Sequence, residues 1–234
     1  MRIDIIIPVY NSENTIEELV NKLAMTDLNY HLYLVDDNSL DNSAKIIRGL
    51  VSNQVTGILL KRNYGQQNAI KAAFEYTKGD YVVTMDDDLQ QDPNDIKLLL
   101  ANLKEFDVIY GSYLKKQSNH FRIFGSNLTD LFFNLRYKKV KEVKVSSFRL
   151  MKREVVEKIK LDQTPFVYLT AIILKNSFKI TSIKVKHYPS KRAKSNYSFV
   201  KLIKLYFKLF YYYTIYRGKQ QSQQYEIKEV IKWN

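Results

Sequence analysis

Apolar and polar positions fall in blocks along the first half of the chain. Ile3 to Val9 is a near-continuous aliphatic run that contains Pro8, the pattern of a strand buried on both faces of a parallel sheet. Tyr10-Asn11-Ser12-Glu13 follows as a turn, and Ser12 or Asn14 is placed to cap a helix reaching about Met25. The pattern then repeats. His31 to Val35, Thr56 to Leu60 and Asp80 to Met85 read as strands; Asp41 to Val51 and Gln66 to Thr77 read as helices between them, the second stopped by Gly79. Four alternations of strand and helix predict right-handed βαβ units: an α/β fold with a mostly parallel central sheet and helices on both faces.

Ligands of such sheets sit at the carboxyl ends of the strands. All four predicted ends are polar: Tyr10 and Asn11, Asp36 and Asp37, Arg62 and Asn63, and Asp86 to Asp88. The last of these, Met85-Asp-Asp-Asp-Leu-Gln-Gln-Asp-Pro93, places three adjacent carboxylates after a buried strand. Their mutual repulsion is relieved by a hard divalent cation, which takes oxygen ligands and shares them with substrate phosphates. An acidic cluster that only caps a helix is the alternative.

Beyond the turn, Asn94 to Leu103 predicts a helix, Phe106 to Tyr110 a fifth strand, Val145 to Met151 a strand, Arg153 to Ile159 a short helix, Phe166 to Asn176 a late helix and Phe178 to Val185 a last strand. Apolar residues from Phe121 to Leu135 recur at helical spacing. Arg122 and Ser126 share one face of that helix, placed either to hold one phosphate together or as a solvated Arg beside an incidental Ser. Ser198 to Tyr216 predicts a basic, aromatic helix whose longest uncharged run, Leu209 to Tyr216, is far below the roughly 20 residues of a spanning helix. It suits the headgroup region of a membrane, a packing face on the rest of the protein or a homo-oligomer interface. Arg217 to Asn234 reads as a polar, frayed tail.

Charge sharpens this division. The net charge is +13 over 234 residues, yet residues 1–112 hold 10 Lys and Arg against 17 Asp and Glu, which leaves 27 against 7 in the remainder. An acidic half suits a metal and a nucleotide bound through it. A basic half suits an extended anion, a phospholipid surface or nucleic acid. The chain has no cysteine, which excludes a disulfide framework and a thiolate metal site. The apolar run at the N-terminus is too short for a signal peptide, so a cytoplasmic location, peripheral at the inner membrane face, is the expectation.

Ile-Pro-Val-Tyr-Asn (7–11), Val-Asp-Asp-Asn-Ser (35–39), Lys-Arg-Asn-Tyr-Gly (61–65) and Met-Asp-Asp-Asp-Leu-Gln (85–90) together resemble the family 2 glycosyltransferases with a GT-A fold. The resemblance spans residues 3 to about 200. It implies that Pro8, Tyr10 and Asp37 contact the nucleotide base of a nucleotide diphosphate sugar, with Asn11, Asn63 and Asp87 in the donor-binding set. Asp86 then contacts the nucleotide sugar, and Asp88 with Gln90 holds Mg²⁺ or Mn²⁺ on the diphosphate. Ser-Ser-Phe-Arg-Leu-Met-Lys-Arg-Glu-Val-Val (146–156) is similar to a segment of the polyprenyl-phosphate sugar transferases, although Ser147 stands where that branch has Gly or Asp. Arg122 and Ser126 match the pair that contacts the lipid phosphate there. His187 to Tyr197 is similar to the loop that closes over the diphosphate; it places Ser195 in that loop and Arg192 as its phosphate contact, with Lys191 and Lys194 as rivals.

An alcohol acceptor requires a general base, and Val145 to Pro189 offers only Glu154, Glu157 and Asp162. A phosphate acceptor is already anionic. The implied reaction is an inverting, metal-dependent transfer of a hexose to polyprenyl phosphate, with transfer to a glycan hydroxyl through Asp162 as the alternative. A nucleic-acid-binding role would leave the four donor-site motifs idle, so no nucleic-acid partner is expected.

Overall fold

The structure, a computed structural model, describes residues 1–113, 132–137, 142–189, 199–216, 218 and 224–233. Its first half follows the alternation of the sequence: β1 (Ile3–Val9), α1 (Ile16–Ala24), β2 (Tyr30–Asp36), α2 (Ser43–Leu50), β3 (Val55–Leu60), α3 (Gln66–Phe74) and β4 (Tyr81–Thr84). Next come α4 (Asp95–Ala101), β5 (Val108–Tyr113), α5 (described over 132–137), β6 (Arg149–Lys152), α6 (Arg153–Leu161), α7 (Leu169–Lys175), β7 (Ile180–Val185), α8 (Phe199–Phe210) and β8 (Ile227–Ile231). Every residue of β1 and of β3 is buried, as continuous aliphatic runs require.

One eight-stranded sheet has the order β7-β5-β6-β4-β1-β2-β3-β8. β4, β1, β2 and β3 pair in parallel, and so do β5 and β7. β6 lies between β4 and β5 and is antiparallel to both. Six strands therefore run one way and deliver their carboxyl ends to one edge of the molecule. Because β6 runs against them, the segment that enters it, Ser146 and Ser147, arrives at that same edge. Helices cover both faces and enclose two apolar cores. One gathers around α3, α6 and α7, with Phe74, Phe133 and Ile172 among its residues, and the other around α1 and α4, with Leu19, Ile96 and Phe148.

Three expectations are corrected. Residues 217–234 are not wholly a frayed tail, since Ile227–Ile231 forms β8 and pairs antiparallel with β3. The five residues Ile-Lys-Glu-Val-Ile do not alternate apolar with polar, so they give no period-2 signal to be read. The strand is held by Arg48 on Glu229 (2.8 and 2.6 Å) and by Lys61 on Glu226 (2.8 Å), and its charges suit an exposed edge. Neither Ser12 nor Asn14 caps α1. Thr15 occupies the N-cap position without a side-chain capping bond, and the Ser12 hydroxyl is drawn to Asp87 instead. The Ser198 to Tyr216 helix becomes a π turn over Tyr211–Ile215. Its inner face packs on the protein: Leu209 and Tyr213 are buried in the α3/α6/α7 core, and the Tyr213 hydroxyl donates to Phe166 O (2.8 Å) and accepts from Tyr168 N (3.0 Å). Its outer face leaves Lys204, Phe207, Lys208, Phe210, Tyr211 and Ile215 exposed. No helix among the described residues is long and apolar enough to cross a membrane.

Candidate active site

Each of the four parallel strands β1 to β4 ends in a turn containing one left-handed residue: Asn11 (φ 52°), Asn38 (φ 60°), Gly65 (φ 87°) and Leu89 (φ 63°). Asn and Gly accept this conformation at low cost, and a branched apolar residue does not. Leu89 is held there by burial in the α1/α4 core. Strain of this kind, of order 1–3 kcal/mol, survives where the surroundings over-determine it, and such sites cluster at functional turns.

Carboxylates and amides tie the four turns together. Asn11 N donates to Ser39 Oγ (3.0 Å), and Leu40 N donates to Asn11 Oδ1 (2.8 Å), linking the β1 and β2 turns. Asp37 accepts from Tyr64 N (2.7 Å) and Gly65 N (2.8 Å), which brings in the β3 turn. Asp87 accepts from Tyr10 N (3.2 Å) and from the Ser12 hydroxyl, and its carbonyl accepts from the Thr15 hydroxyl (2.7 Å). The β4 turn is thereby joined to the β1 turn. The sequence places Asp87 among donor-binding residues; the structure spends its buried carboxylate inside the protein.

Asp86 and Asp88 are used differently. Asp86 accepts from Gln66 Nε2 (2.6 Å), Gln91 Nε2 (2.8 Å) and the Ser147 hydroxyl. Asp88 is only partly buried, and its Oδ1 accepts from Gln90 N (3.1 Å). Gln90 is stitched to the segment after β7, because its Nε2 donates to Tyr188 O (3.2 Å) and its carbonyl accepts from Tyr188 N (3.0 Å). This pairing leads the chain from β7 past the acidic turn and toward residue 190.

Burial sets the electrostatics. It pushes the Asp86 carboxyl up to about 6; the neighbouring Asp88 and Asp87 add to the rise, and the bonds from Ser147 and Gln66 oppose it. Burial also raises Asp37 to about 6 against the two backbone N–H bonds that favour its charged form. A raised carboxyl flanked by two further carboxylates, as Asp86 is by Asp87 and Asp88, marks a site that gains from a cation. Among the described residues no three His, Cys, Asp or Glu side chains converge as a metal cage. The donor set still fits a hard ion of the Mg²⁺ kind, which takes one or two protein oxygens and completes its shell with phosphates and water. Asp88 Oδ2 and Gln90 Oε1 are the oxygens available.

Of the other expected residues, Pro8 is buried in β1, Tyr10 is 38% exposed after β1 and Asn63 is exposed after β3. Arg122, Ser126, Arg192 and Ser195 lie outside the described residues. The structure adds Gln66, Gln91, Tyr113 and Ser147 around Asp86. Gln91 adjoins the acidic turn in sequence, but nothing in the pattern tells an inward amide from a solvated one. Asp162, the candidate base, accepts from Lys175 Nζ (2.9 Å) and Thr164 N (2.9 Å), and these bonds hold its carboxyl below the ordinary range against the effect of its burial.

The chain is similar to known proteins in sequence and in fold. The description Glycosyl transferase family 2 matches residues 4–160. The undecaprenyl-phosphate 4-deoxy-4-formamido-L-arabinose transferase of Shewanella sediminis (strain HAW-EB3) is 35% identical over 221 residues, which cover 88% of this chain and 65% of that protein. Its namesake in Proteus mirabilis (strain HI4320) is 32% identical, covering 89% and 66%. The chain thus spans just under two thirds of the length of these relatives. Among solved structures, glucosyl-3-phosphoglycerate synthase from Mycobacterium tuberculosis, in complex with Mn²⁺, UDP and phosphoglyceric acid, superposes with a TM-score of 0.67 at 17% identity over 92% of this chain and 80% of that one. S. aureus TarS 1-349 in complex with UDP-GlcNAc gives 0.61 at 20% identity, over 90% and 67%. These two likenesses establish the GT-A fold. Four strand-end motifs meeting at one edge, and a family match over most of the chain, lead to one conclusion: the chain belongs to glycosyl transferase family 2.

Proposed function

We propose that the protein transfers a sugar from a nucleotide diphosphate sugar to polyprenyl phosphate. The observation that carries this reading is the division of labour in the β4 turn. Asp86 is clamped by three neutral donors, whereas Asp88 offers an open oxygen at the carboxyl end of a parallel strand. The nucleotide base lies over the β1 to β3 turns, against Tyr10 and the loop shaped by Asp37. Asp86 meets the nucleotide sugar. Asp88 and Gln90 hold Mg²⁺ or Mn²⁺, which supplies charge neutralisation to the leaving diphosphate. Support comes from the solved relative that binds Mn²⁺ and UDP.

The state of the candidate base favours a phosphate acceptor. Asp162, the candidate base for an alcohol, is committed to an ion pair with Lys175 (2.9 Å). A phosphate oxygen attacks the anomeric carbon without losing a proton; the bond from that carbon to the diphosphate breaks, and configuration inverts. Arg122 and Ser126 are the proposed contacts of the acceptor phosphate, and Arg192 with Ser195 those of the donor diphosphate. The relatives named for undecaprenyl phosphate favour this acceptor. Their sugar is an arabinose derivative, a pentose, so they lend no support to the expected hexose.

Such an acceptor lies in a bilayer. The outer face of α8 and its π turn, with Lys204 and Lys208 among Phe207, Phe210, Tyr211 and Ile215, suits the headgroup layer of an anionic membrane at its cytoplasmic face. Incubation with undecaprenyl phosphate in anionic vesicles and a panel of labelled nucleotide sugars tests the proposal. Label extracted with the lipid is expected from one donor; label found only on glycan hydroxyls would exclude it.

A further inference from the structure

Gln91 is 3% exposed, and both ends of its amide are turned toward a single residue. Its Oε1 accepts from Asp86 N (3.1 Å), and its Nε2 donates to Asp86 Oδ2 (2.8 Å). The same Nε2 lies 3.2 Å from the Tyr113 hydroxyl and 3.3 Å from Ser147 Oγ. A backbone N–H needs an acceptor and a carboxylate needs a donor, and the Gln91 amide serves both from one position. Glu would match the shape but oppose one carboxylate with another. Met would fill the volume and serve neither group.

We infer that Gln91 is a positioning residue for donor binding: it fixes the plane of the Asp86 carboxylate, and with it the oxygen offered to the nucleotide sugar. The inference rests on the reading of Asp86 as a donor contact. Gln66, the exposed partner on Asp86 Oδ1, leaves that oxygen reachable, whereas Gln91 and Ser147 hold Oδ2 from behind. Carboxylate rotation is thereby stopped at the buried oxygen while the other stays available. Orientation of this kind is sensitive, since a displacement of about 1 Å costs up to roughly a hundredfold.

The test compares Gln91→Met and Gln91→Glu with the wild-type full chain. Calorimetry measures the binding of UDP, GDP, CDP and dTDP with Mn²⁺, together with the Mn²⁺ concentration at half-saturation and the unfolding temperature. The inference predicts that Kd for the nucleotide bound by wild type rises at least about tenfold in Gln91→Met and further in Gln91→Glu. The Mn²⁺ midpoint should stay within about twofold, because Asp88 is untouched. General loosening of the site would move both quantities. Unchanged nucleotide affinity in folded variants overturns the inference, as does failure of both variants to fold, which assigns Gln91 to stability alone. Wild type that binds none of the four nucleotides overturns the donor reading with it. Wild type that binds a nucleotide but makes no lipid product overturns the acceptor alone and leaves Gln91 as inferred.

Discussion

Asp87 is the middle carboxylate of three and the one that sequence alone treats as dispensable: Asp87→Ala is expected from the sequence to leave transfer largely intact. The structure reverses that expectation. Replacement by Ala removes the acceptor that the Tyr10 N–H and the Ser12 hydroxyl share in a position that is 6% exposed, while the hydroxyl keeps a longer bond to Tyr10 O (3.3 Å). A buried donor left unsatisfied costs about 1–3 kcal/mol. Tyr10 stands near enough to solvent for water to replace part of the loss, so the sum comes to about 3 kcal/mol. For a chain of this size each kcal/mol lowers Tm by about 2–4 °C, giving a fall of roughly 6–12 °C. Asp87→Asn keeps an acceptor oxygen and should fall by no more than about 4 °C. Because the tie fixes the β1 turn against the β4 turn, Asp87→Ala should also raise the donor KM about tenfold. Thermal unfolding followed by circular dichroism, with donor kinetics on the same samples, decides the matter. An Asp87→Ala protein melting within about 2 °C of wild type with an unchanged KM would refute the structural role.

Three further outcomes follow from the geometry. Asp37 has a carboxyl raised to about 6 from an ordinary 3.8 by burial, so its contribution to stability is present below the unfolded value and lost as pH rises through about 6. Above pH 6 it opposes folding by roughly 3 kcal/mol, and Asp37→Asn should flatten the Tm profile between about pH 4 and 6. A slope as steep as that of wild type would show another group to be responsible. Asp162→Asn should keep transfer within about threefold of wild type while Tm drops by a few degrees through loss of the Lys175 pair; a loss beyond a hundredfold would identify Asp162 as a general base. Truncation after Tyr225 removes β8 and bares the edge of β3, and it should produce concentration-dependent aggregation in light scattering, absent from the full chain.

The parallel half of the fold was legible because its strands are apolar runs with polar ends, and burial on both faces imposes that pattern. The direction of β6 was not. A four-residue strand reads alike either way, so nothing showed that Ser147 would return to the carboxyl edge and reach Asp86. β8 escaped because an edge strand carries the charges of a surface segment. Within the site, the acidic turn was legible as such, and Asp86, Asp88 and Gln90 follow the carboxyl end of β4. The roles of Asp87 and Gln91 depend on which way a short polar side chain turns. Backbone conformation around the left-handed Leu89 decides that, and composition does not.

Which bond breaks in the donor is reported directly by the nucleotide released. With undecaprenyl phosphate, Mn²⁺ and the accepted donor, wild type should release nucleoside diphosphate in a one-to-one ratio with a lipid that has gained one sugar and no phosphate. Asp88→Asn should reduce both by more than about a hundredfold while leaving Tm unchanged, since among the described residues the Asp88 carboxylate bonds only to Gln90 N. Release of nucleoside monophosphate with a lipid diphosphate product, or transfer undiminished in Asp88→Asn, would contradict the proposed transfer.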